Sequence, residues 1–446
     1  MNVFFSGIGG VGIGPLAEIA ADAGFRVQGS DTTESLVTKE LQNRGITVEI
    51  GQDGSFLQSA HNDSPIDWFV YTAALPEDHP ELVLARQLGI KTAKRDELLA
   101  YIIEEKNLKL IAVAGTHGKT TTTGMLVWTL QQLGVPVSYA VGTTLGFGPS
   151  GKFDPASEYF IYECDEFDRN FLQFSAYLSL VTSIDYDHPD TYPTEKSYLD
   201  AFQEFGNKSQ QLIAWQSQHS ELFANHPDAW LLDTSINVKL AGDHNRHNAT
   251  LVVKAIEKLA SELENSFDKT STARVSPVAY TREAWREAVL SNSVVEIASK
   301  TVETFPGTDR RFEKLTDNLY SDYGHHPVEI AATLQLAREL SDHVVLVYQP
   351  HQNVRQHEIK DQYTDQFELA DEIYWLPTYL SREDPNQSIL SPEELTSNIT
   401  NKNSVRIAEL DNELWSNIQK ARNNGKLVLG MGAGTIDGWL RDKLAV

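Results

Sequence analysis

The chain is poor in cysteine, in positive charge and in long apolar runs, and each shortage excludes something. A single cysteine, Cys164, among 446 residues rules out an internal disulfide framework and fits a reducing compartment. Lysine and arginine number 37 against 62 aspartates and glutamates, a net charge of −25. Such a surface repels nucleic acid and anionic membranes, so neither is expected as a partner. It also obliges any phosphate ligand to find lysine, arginine, backbone N–H groups or metal locally. No run of about twenty apolar residues occurs, so no transmembrane helix is expected. The opening stretch, MNVFFSGIGG, has no charged leader, and the expectation is a cytoplasmic protein, monomeric or weakly dimeric, without a secretory signal. Internal repeats and low-complexity tracts are lacking too.

What is present is an ordinary globular composition, 41% hydrophobic, in a chain long enough for two to four domains. Strand and helix patterns alternate throughout, which predicts an α/β protein. The segments break at about 1–107, 108–300 and 301–446. The middle one opens on the most informative stretch. An apolar run, Leu110–Ala114, predicts a buried strand, followed by Gly115-Thr116-His117-Gly118-Lys119-Thr120-Thr121 and a helical pattern that ends before Gly134. A strand, a glycine-bearing turn and a helix N-terminus make an anion site, because unpaired N–H groups and the helix dipole point at it. Lys119 then reaches the terminal phosphates of ATP and the Thr120 hydroxyl ligates Mg²⁺. Val113 stands where the general phosphate-loop pattern has its first glycine. An ordinary strand-to-helix turn is the bland alternative, but few such turns require Gly-Lys-Thr at the helix start.

The first segment has a second glycine turn. Strand Asn2–Ser6 leads into Gly7-Ile8-Gly9-Gly10-Val11-Gly12, then a helix Gly14–Ala23, then a strand Phe25–Gly29 and Asp31. An acidic residue about twenty positions beyond such glycines is a dinucleotide-type fingerprint. NAD is its default ligand, with another nucleotide diphosphate or a purely structural turn as alternatives. Trp68–Thr72 and Pro80–Leu88 continue the alternation as strand and helix.

Acids gather where strands end. Tyr159–Glu163 runs into Cys164-Asp165-Glu166, and Tyr177–Ile184 into Asp185-Tyr186-Asp187-His188-Pro189-Asp190. In open α/β sheets ligands lie at carboxyl strand ends, and carboxylate oxygens there suit Mg²⁺. For Asp165 or Asp190 a solvated loop charge is an equal reading, whereas Glu163 directly follows its strand core. Gly242-Asp243-His244-Asn245-Arg246-His247-Asn248-Ala249 precedes a helix through Leu259; its asparagines can read an adenine edge, or Asn245 can simply cap that helix. Residues 262–300 carry no readable chemistry. In the last segment, Arg310-Arg311-Phe312-Glu313 precedes strand Asn318–Ser321 and Asp322-Tyr323-Gly324-His325-His326-Pro327. Helix Val328–Leu340, strand Val344–Tyr348 with Gln349-Pro350-His351, and strand Leu427–Met431 with Gly432-Ala433-Gly434 follow. The adjacent histidines have no third soft ligand, which argues against zinc.

Taken in order, these motifs resemble the Mur ligases, ATP-dependent enzymes that build the peptidoglycan stem peptide. The likeness covers nearly the whole chain: Gly7–Gly12, Thr72-Ala73-Ala74, the phosphate loop, Glu163–Asp168, Asp185–Tyr192, Gly242–Ala249, Arg310–Glu313, Asp322–Pro327, Gln349–His351 and Gly432–Gly434. The resemblance implies three α/β domains: a Rossmann-like N-terminal UDP-binding domain, a central P-loop ATPase-type domain and a C-terminal Rossmann-like domain. It implies UDP-N-acetylmuramate and L-alanine as substrates, ATP and Mg²⁺ as cofactors, and an acyl-phosphate route. By position, it implies that Gly7, Ile8, Gly9, Gly10, Gly12 and Thr72 hold the UDP-sugar, with Asp31 near the nucleoside or sugar, in place of NAD. Gly115 to Thr121 hold ATP, Lys119 its γ-phosphate, and Asn245 and Asn248 its adenine. Thr120 and Glu163 take one metal, and His188 with Glu163 a second. Arg311 and Asp322 clamp the phosphates and ribose. Tyr323, His325, His351 and Arg355 meet the incoming amino acid, Arg355 through its carboxylate, and His325 or His351 is a candidate base.

The sequence departs from the family pattern at several places. Phe167 and Arg169 alter the acid cluster, Ser321 and Thr435 replace common aspartates, and Gln352 stands where an arginine often follows Pro-His. Glutamine does not reproduce a bidentate arginine contact to a carboxylate. Around Tyr198–Phe205 there is no lysine like the one other members carbamylate. The rival readings are a recycling ligase that joins a whole tripeptide, a nucleotide-binding protein without ligase activity, and a nicotinamide-dependent oxidoreductase. The stretches Lys94–Leu99 and Phe305–Glu313 favour the alanine-adding type over the first. Intact Lys119, Thr120, Glu163 and His188 argue against the others.

Overall fold

The computed structural model describes the chain except Val11, Ala73–Ala74, Pro189–Asp190, Gln218–His219, residues 268–292, Arg382 and Val446. Asp190 and the two alanines after Thr72 therefore lie outside the described residues. Among those described, the strands form three sheets, and the chain divides into two compact units, residues 1–235 with 249–305 and residues 236–248 with 306–446.

The first unit holds two of the sheets. The first is β1 (Asn2–Ser6), β2 (Arg26–Asp31), β3 (Thr47–Ile50), β4 (Trp68–Tyr71) and β5 (Lys91–Lys94), in the order β3-β2-β1-β4-β5 and parallel throughout. Val3, Phe4 and Phe5 of β1 are wholly buried, as a central strand covered by helices on both faces requires. Helices α1 (Gly14–Asp22), α2 (Leu36–Asn43), α3 (Ser55–Asp63), α4 (Pro80–Gln87) and α5 (Arg95–Glu105) supply that cover. The strand order reverses between β1 and β4, so a crevice opens at their carboxyl ends, where Gly7 and Thr72 lie.

The second sheet contains β6 (Lys109–Ala114), β7 (Val137–Ala140), β8 (Gly151–Lys152), β9 (Tyr159–Glu163), β10 (Leu178–Val181), β11 (Gln211–Trp215) and β12 (Ala229–Leu232). Its order is β12-β11-β10-β6-β9-β7-β8, with β8 antiparallel at one edge. Helix α6 (Lys119–Gln132) follows β6, and α7 (Glu195–Asn207) precedes β11. One continuous hydrophobic core runs from Val3 and Phe5 through Leu99 and Ile102 to Leu110, Phe171 and Phe202, so the two sheets share a core. At roughly 25 cal/mol per Å² of apolar area, such shared burial makes this unit cohesive.

The second unit has a six-stranded sheet of β13 (Glu313–Thr316), β14 (Leu319–Asp322), β15 (Val344–Tyr348), β16 (Glu372–Trp375), β17 (Val405–Ile407) and β18 (Leu427–Met431), ordered β13-β14-β18-β15-β16-β17. Separate cores cover its two faces, one around Trp375, Tyr348 and Tyr363, the other around Val345, Val428 and Leu440. All five residues of both β15 and β18 are buried, and their carboxyl ends carry Gln349 and Gly432 side by side, with Gln349 N–H donating to Met431 O at 2.9 Å.

Candidate active site

β6 delivers the chain into the phosphate loop, and the backbone there demands glycine. Gly115 sits at φ +136°, and a Cβ on it would stand 2.2 Å from Thr182 Oγ1 and 2.8 Å from Ser183 N. Gly118 has φ +80° and occupies the N-cap of α6, with no side chain capping the helix. The first-turn N–H groups of α6 are therefore left for a ligand. Thr116 N–H donates to Ser183 O (2.9 Å) and His117 N–H to Ser183 Oγ (2.9 Å), pinning the loop to the end of β10. Thr116 Oγ1 also meets the Tyr198 hydroxyl at 2.7 Å.

Lys119 folds back over this loop. Its Nζ donates to Gly115 O (2.6 Å), Thr116 O (3.3 Å) and Glu166 Oε2 (2.7 Å). Burial disfavours its charge, but Glu166 and Asp165 outweigh that, and Lys119 ionises above its ordinary range. Glu166, 1% exposed, is likewise opposed by burial and rescued by Lys119 and His188, which hold its carboxyl below the usual range. His188 lies at φ +57°, with Nε2 3.6 Å from Glu166 Oε1 and 3.9 Å from Asp187 Oδ2. Phe167 covers it edge-on, ring centres 5.3 Å apart. His188 thus lies within ion-pairing distance of Glu166 and Asp187. Glu166 is the site residue that reading the sequence passes over; its one signal there is a carboxylate three positions after Glu163.

Thr120 Oγ1 donates to Glu163 Oε1 at 2.7 Å, and Gly142 N–H donates to Glu163 Oε2 at 2.7 Å. A hydroxyl and a carboxylate so close are hard oxygen donors of the kind Mg²⁺ takes. Among the described residues no group of three or more His, Cys, Asp or Glu is placed to hold a metal ion. Asp165, raised by burial, accepts from Phe167 N–H at 3.1 Å. Arg169 (φ +57°) pairs with Glu204, and Asp168 (φ +52°) with Lys94, so this loop is tied to neighbouring elements.

The glycine turn after β1 is equally built. Gly7 (φ +75°) and Ile8 donate their N–H groups to Ser30 O at 2.9 and 3.0 Å. Asp31 Oδ2 accepts from Gly9 N–H at 2.8 Å, so in this structure Asp31 fastens the turn itself. Thr72 Cγ2 lies 3.8 Å from where a Cβ on Gly7 would stand. Against Gly12, Nη1 of Arg95 lies 3.0 Å from the position of a Cβ.

In the second unit, Asp322 is 6% exposed and accepts from Phe312 N–H (2.8 Å) and Gly324 N–H (2.7 Å). Burial lifts its carboxyl to about 6, against the pull of Arg311 and those two N–H groups. Arg310 and Arg311 flank the Tyr323 ring at 4.6 and 5.3 Å. Arg355 Nη1 meets His325 Nε2 at 2.9 Å, and His325 Nδ1 lies 3.2 Å from Tyr323 O. A guanidinium can only donate, so Nε2 accepts and the imidazole proton sits on Nδ1. Burial, aided by Arg355, pushes His325 down to about 4 despite Glu329, leaving it neutral. His351 lies 5.6 Å from the His325 ring and stacks on Tyr379 at 5.7 Å. Tyr323, His325, His351 and Arg355 are thus brought together. Gln352 is held at φ +58° just before the helix Asn353–Ile359.

Asn245 does not cap its helix. The helix Asp243–Phe267 begins two residues earlier, and Asn245 Nδ2 donates back to Ala241 O at 3.0 Å. Asn248 is 6% exposed. Arg246 pairs with Glu339 at 2.7 Å and also with Asp243, anchoring this first turn.

Three family models match the chain: "Mur ligase family, catalytic domain" over residues 2–107, "Mur ligase middle domain" over 113–230, and "Mur ligase, glutamate ligase domain" over 310–434. A UDP-N-acetylmuramate–L-alanine ligase of Clostridium tetani is 31% identical over 450 residues, covering 98% of this chain and 96% of that one. Among solved structures, UDP-N-acetylmuramate-alanine ligase from Thermotoga maritima matches with TM-score 0.71 at 22% identity, over 100% of this chain and 98% of that one. A murein peptide ligase from Psychrobacter arcticus matches with TM-score 0.59 at 20% identity, over the same shares. These two establish the three-domain α/β fold.

Proposed function

This chain belongs to the Mur ligase family, and from that premise we propose that it joins L-alanine to the lactyl carboxylate of UDP-N-acetylmuramate, consuming ATP. The observation that carries the proposal is the phosphate loop, where Lys119, Thr120, Glu163 and Glu166 converge at the uncapped start of α6. The alanine ligase named above, matched along almost its full length, supports the choice of amino acid over a tripeptide.

The substrate carboxylate attacks the γ-phosphorus of ATP and ADP departs, giving an acyl phosphate. The alanine amine then adds to the acyl carbon, and the tetrahedral intermediate expels phosphate to leave the amide. Lys119 exchanges its carbonyl and Glu166 partners for the γ-phosphate and stabilises its spreading charge. The N–H groups at the start of α6 receive phosphate oxygens. Thr120 and Glu163 would hold one Mg²⁺ and His188, with Glu163, a second, and these ions when bound would neutralise phosphate charge. In the second unit, Arg311 and Asp322 are assigned to ATP, and Arg355 to the alanine carboxylate. His325, neutral and protonated on Nδ1, has its basic Nε2 turned to Arg355; once a carboxylate engages Arg355, that nitrogen is released to take the amine's proton. Asn245 and Asn248 are assigned to adenine. We divide the chain into domains at 1–107, 108–300 and 301–446, and place the reaction in the cytoplasm. Among the described residues no helix is long and apolar enough to cross a membrane.

Phosphate release from ATP, measured with UDP-N-acetylmuramate and L-alanine, glycine, L-serine or the tripeptide added separately, tests the proposal. Release that depends on L-alanine and is lost in Lys119→Ala supports it. Turnover with the tripeptide alone reassigns the protein to peptide recycling, and silence with every amine removes the ligase reading.

A further inference from the structure

The glycine turn Gly7-Ile8-Gly9-Gly10-Val11-Gly12-Ile13-Gly14 contains no cation, in a chain of net charge −25. Backbone N–H groups alone give a diphosphate partial charges, and two of them, on Gly7 and Ile8, are already spent on Ser30 O. A third, on Gly9, is spent on Asp31. A doubly charged ligand therefore needs a cation from elsewhere in the fold.

Arg95, the first residue of α5, stands there. Its Nε donates to Asp96 Oδ1 at 3.2 Å, and its Nη2 to Asp96 Oδ2 at 3.4 Å and the Tyr162 hydroxyl at 3.3 Å. Tyr162 in turn donates to Asp96, which is buried. Two of the three guanidinium nitrogens are thereby fixed and the plane of the group is set. Nη1 takes part in none of these bonds and is directed at Gly12, where a Cβ would come within 3.0 Å of it. A side chain at Gly12 would therefore have to displace this guanidinium. The side chain remains 35% exposed, so it is open to a ligand.

We propose that Arg95 is the cation of the diphosphate site, donating through Nη1 to the pyrophosphate of the UDP-sugar lying on the glycine turn. This rests on the function proposed above. Asp96 and Tyr162 act as positioning residues that aim the guanidinium before the ligand arrives, so little side-chain entropy is lost on binding.

Calorimetric titration of wild type, Arg95→Lys and Arg95→Ala with UDP-N-acetylmuramate, UDP and uridine tests this, with ATP titrated into the same samples to show that each variant is folded. Arg95→Ala is expected to weaken the UDP-sugar and UDP at least tenfold, Arg95→Lys to lie between, and uridine and ATP to change less than twofold. Equal affinity of all three proteins for UDP-N-acetylmuramate would overturn the proposal. So would equal weakening of uridine and UDP, which would make Arg95 a shaper of the pocket and not a partner of the phosphates. A wild type that binds none of the three uridine compounds would overturn the function proposed above, and this inference with it.

Discussion

Lys119 and Glu166 are a buried pair, 14% and 1% exposed, whose members each depend on the other for their charge. Glu166→Gln leaves the ammonium with two carbonyls and, for counter-charge, only carboxylates such as Asp165 that it does not bond, and losing the bonded partner of such a pair costs on the order of 3 kcal/mol. ATP supplies a replacement anion. The variant should therefore melt well below wild type without ligand and recover more than wild type does when ATP is added, because binding now relieves a penalty. Differential scanning fluorimetry with and without saturating nucleotide reads this directly, and equal shifts in both proteins would refute it. His325 gives a second test at this scale. Folded, it takes a proton only at about 4, against an ordinary 6.5, so between those values the unfolded chain binds more protons. Stability is then complete above about 6.5 and declines as pH falls toward 4, by on the order of 3 kcal/mol for this group. His325→Asn should flatten that decline in urea unfolding measured across the range. Gln352 offers the opposite case, a residue whose backbone is strained. At φ +58°, Gln352→Gly should stabilise the chain by roughly 0.5–1 kcal/mol in the same assay.

Whole elements were the legible part of the sequence, and their ends the illegible part. The strand-loop-helix unit of β6 and α6 could be read because an apolar run, two glycines and a lysine each meet a local demand. The expected strand Tyr177–Ile184 shortens to Leu178–Val181; just past it the Thr182 hydroxyl donates to His117 O and Ser183 O accepts from Thr116 N–H, so this stretch serves the phosphate loop. The expected Phe25–Gly29 slides to Arg26–Asp31 because Ser30 and Asp31 pair with Glu49 and Ile50 of β3. Both differences arise from partners distant in sequence, which no local pattern encodes. Glu166 and Arg95 escaped notice for the same reason, since their meaning is set by Lys119 and Gly12. Gly115→Ala tests how tightly the loop depends on such contacts. Its Cβ would collide with Thr182 Oγ1 at 2.2 Å in a backbone conformation that alanine resists. A loss of about 2–3 kcal/mol and of nucleotide binding is expected, from strain and overpacking together. Unfolding in denaturant with a parallel ATP titration would decide, and a variant that keeps both would show the loop to be pliable.

At the scale of the whole molecule the puzzle is charge. On the proposed function, a protein carrying −25 must collect ATP and a UDP-sugar, both anions, at sites whose cations are few. Repulsion from the overall field acts over distances longer than the Debye length of about 10 Å at 0.1 M salt, whereas contacts such as those of Lys119 act within it and are partly shielded from ions by burial. Salt should then weaken the repulsion more than it weakens the binding contacts. The association rate of Mg²⁺-bound ATP, followed by stopped-flow fluorescence of a labelled analogue, should rise about two- to threefold as monovalent salt goes from roughly 10 to 150 mM, while the dissociation rate changes little. A site fed by a basic funnel would behave in the opposite way, its association slowing with salt. A falling rate would mean that Lys119, Arg95 and their neighbours project a local positive field strong enough to override the acidic surface.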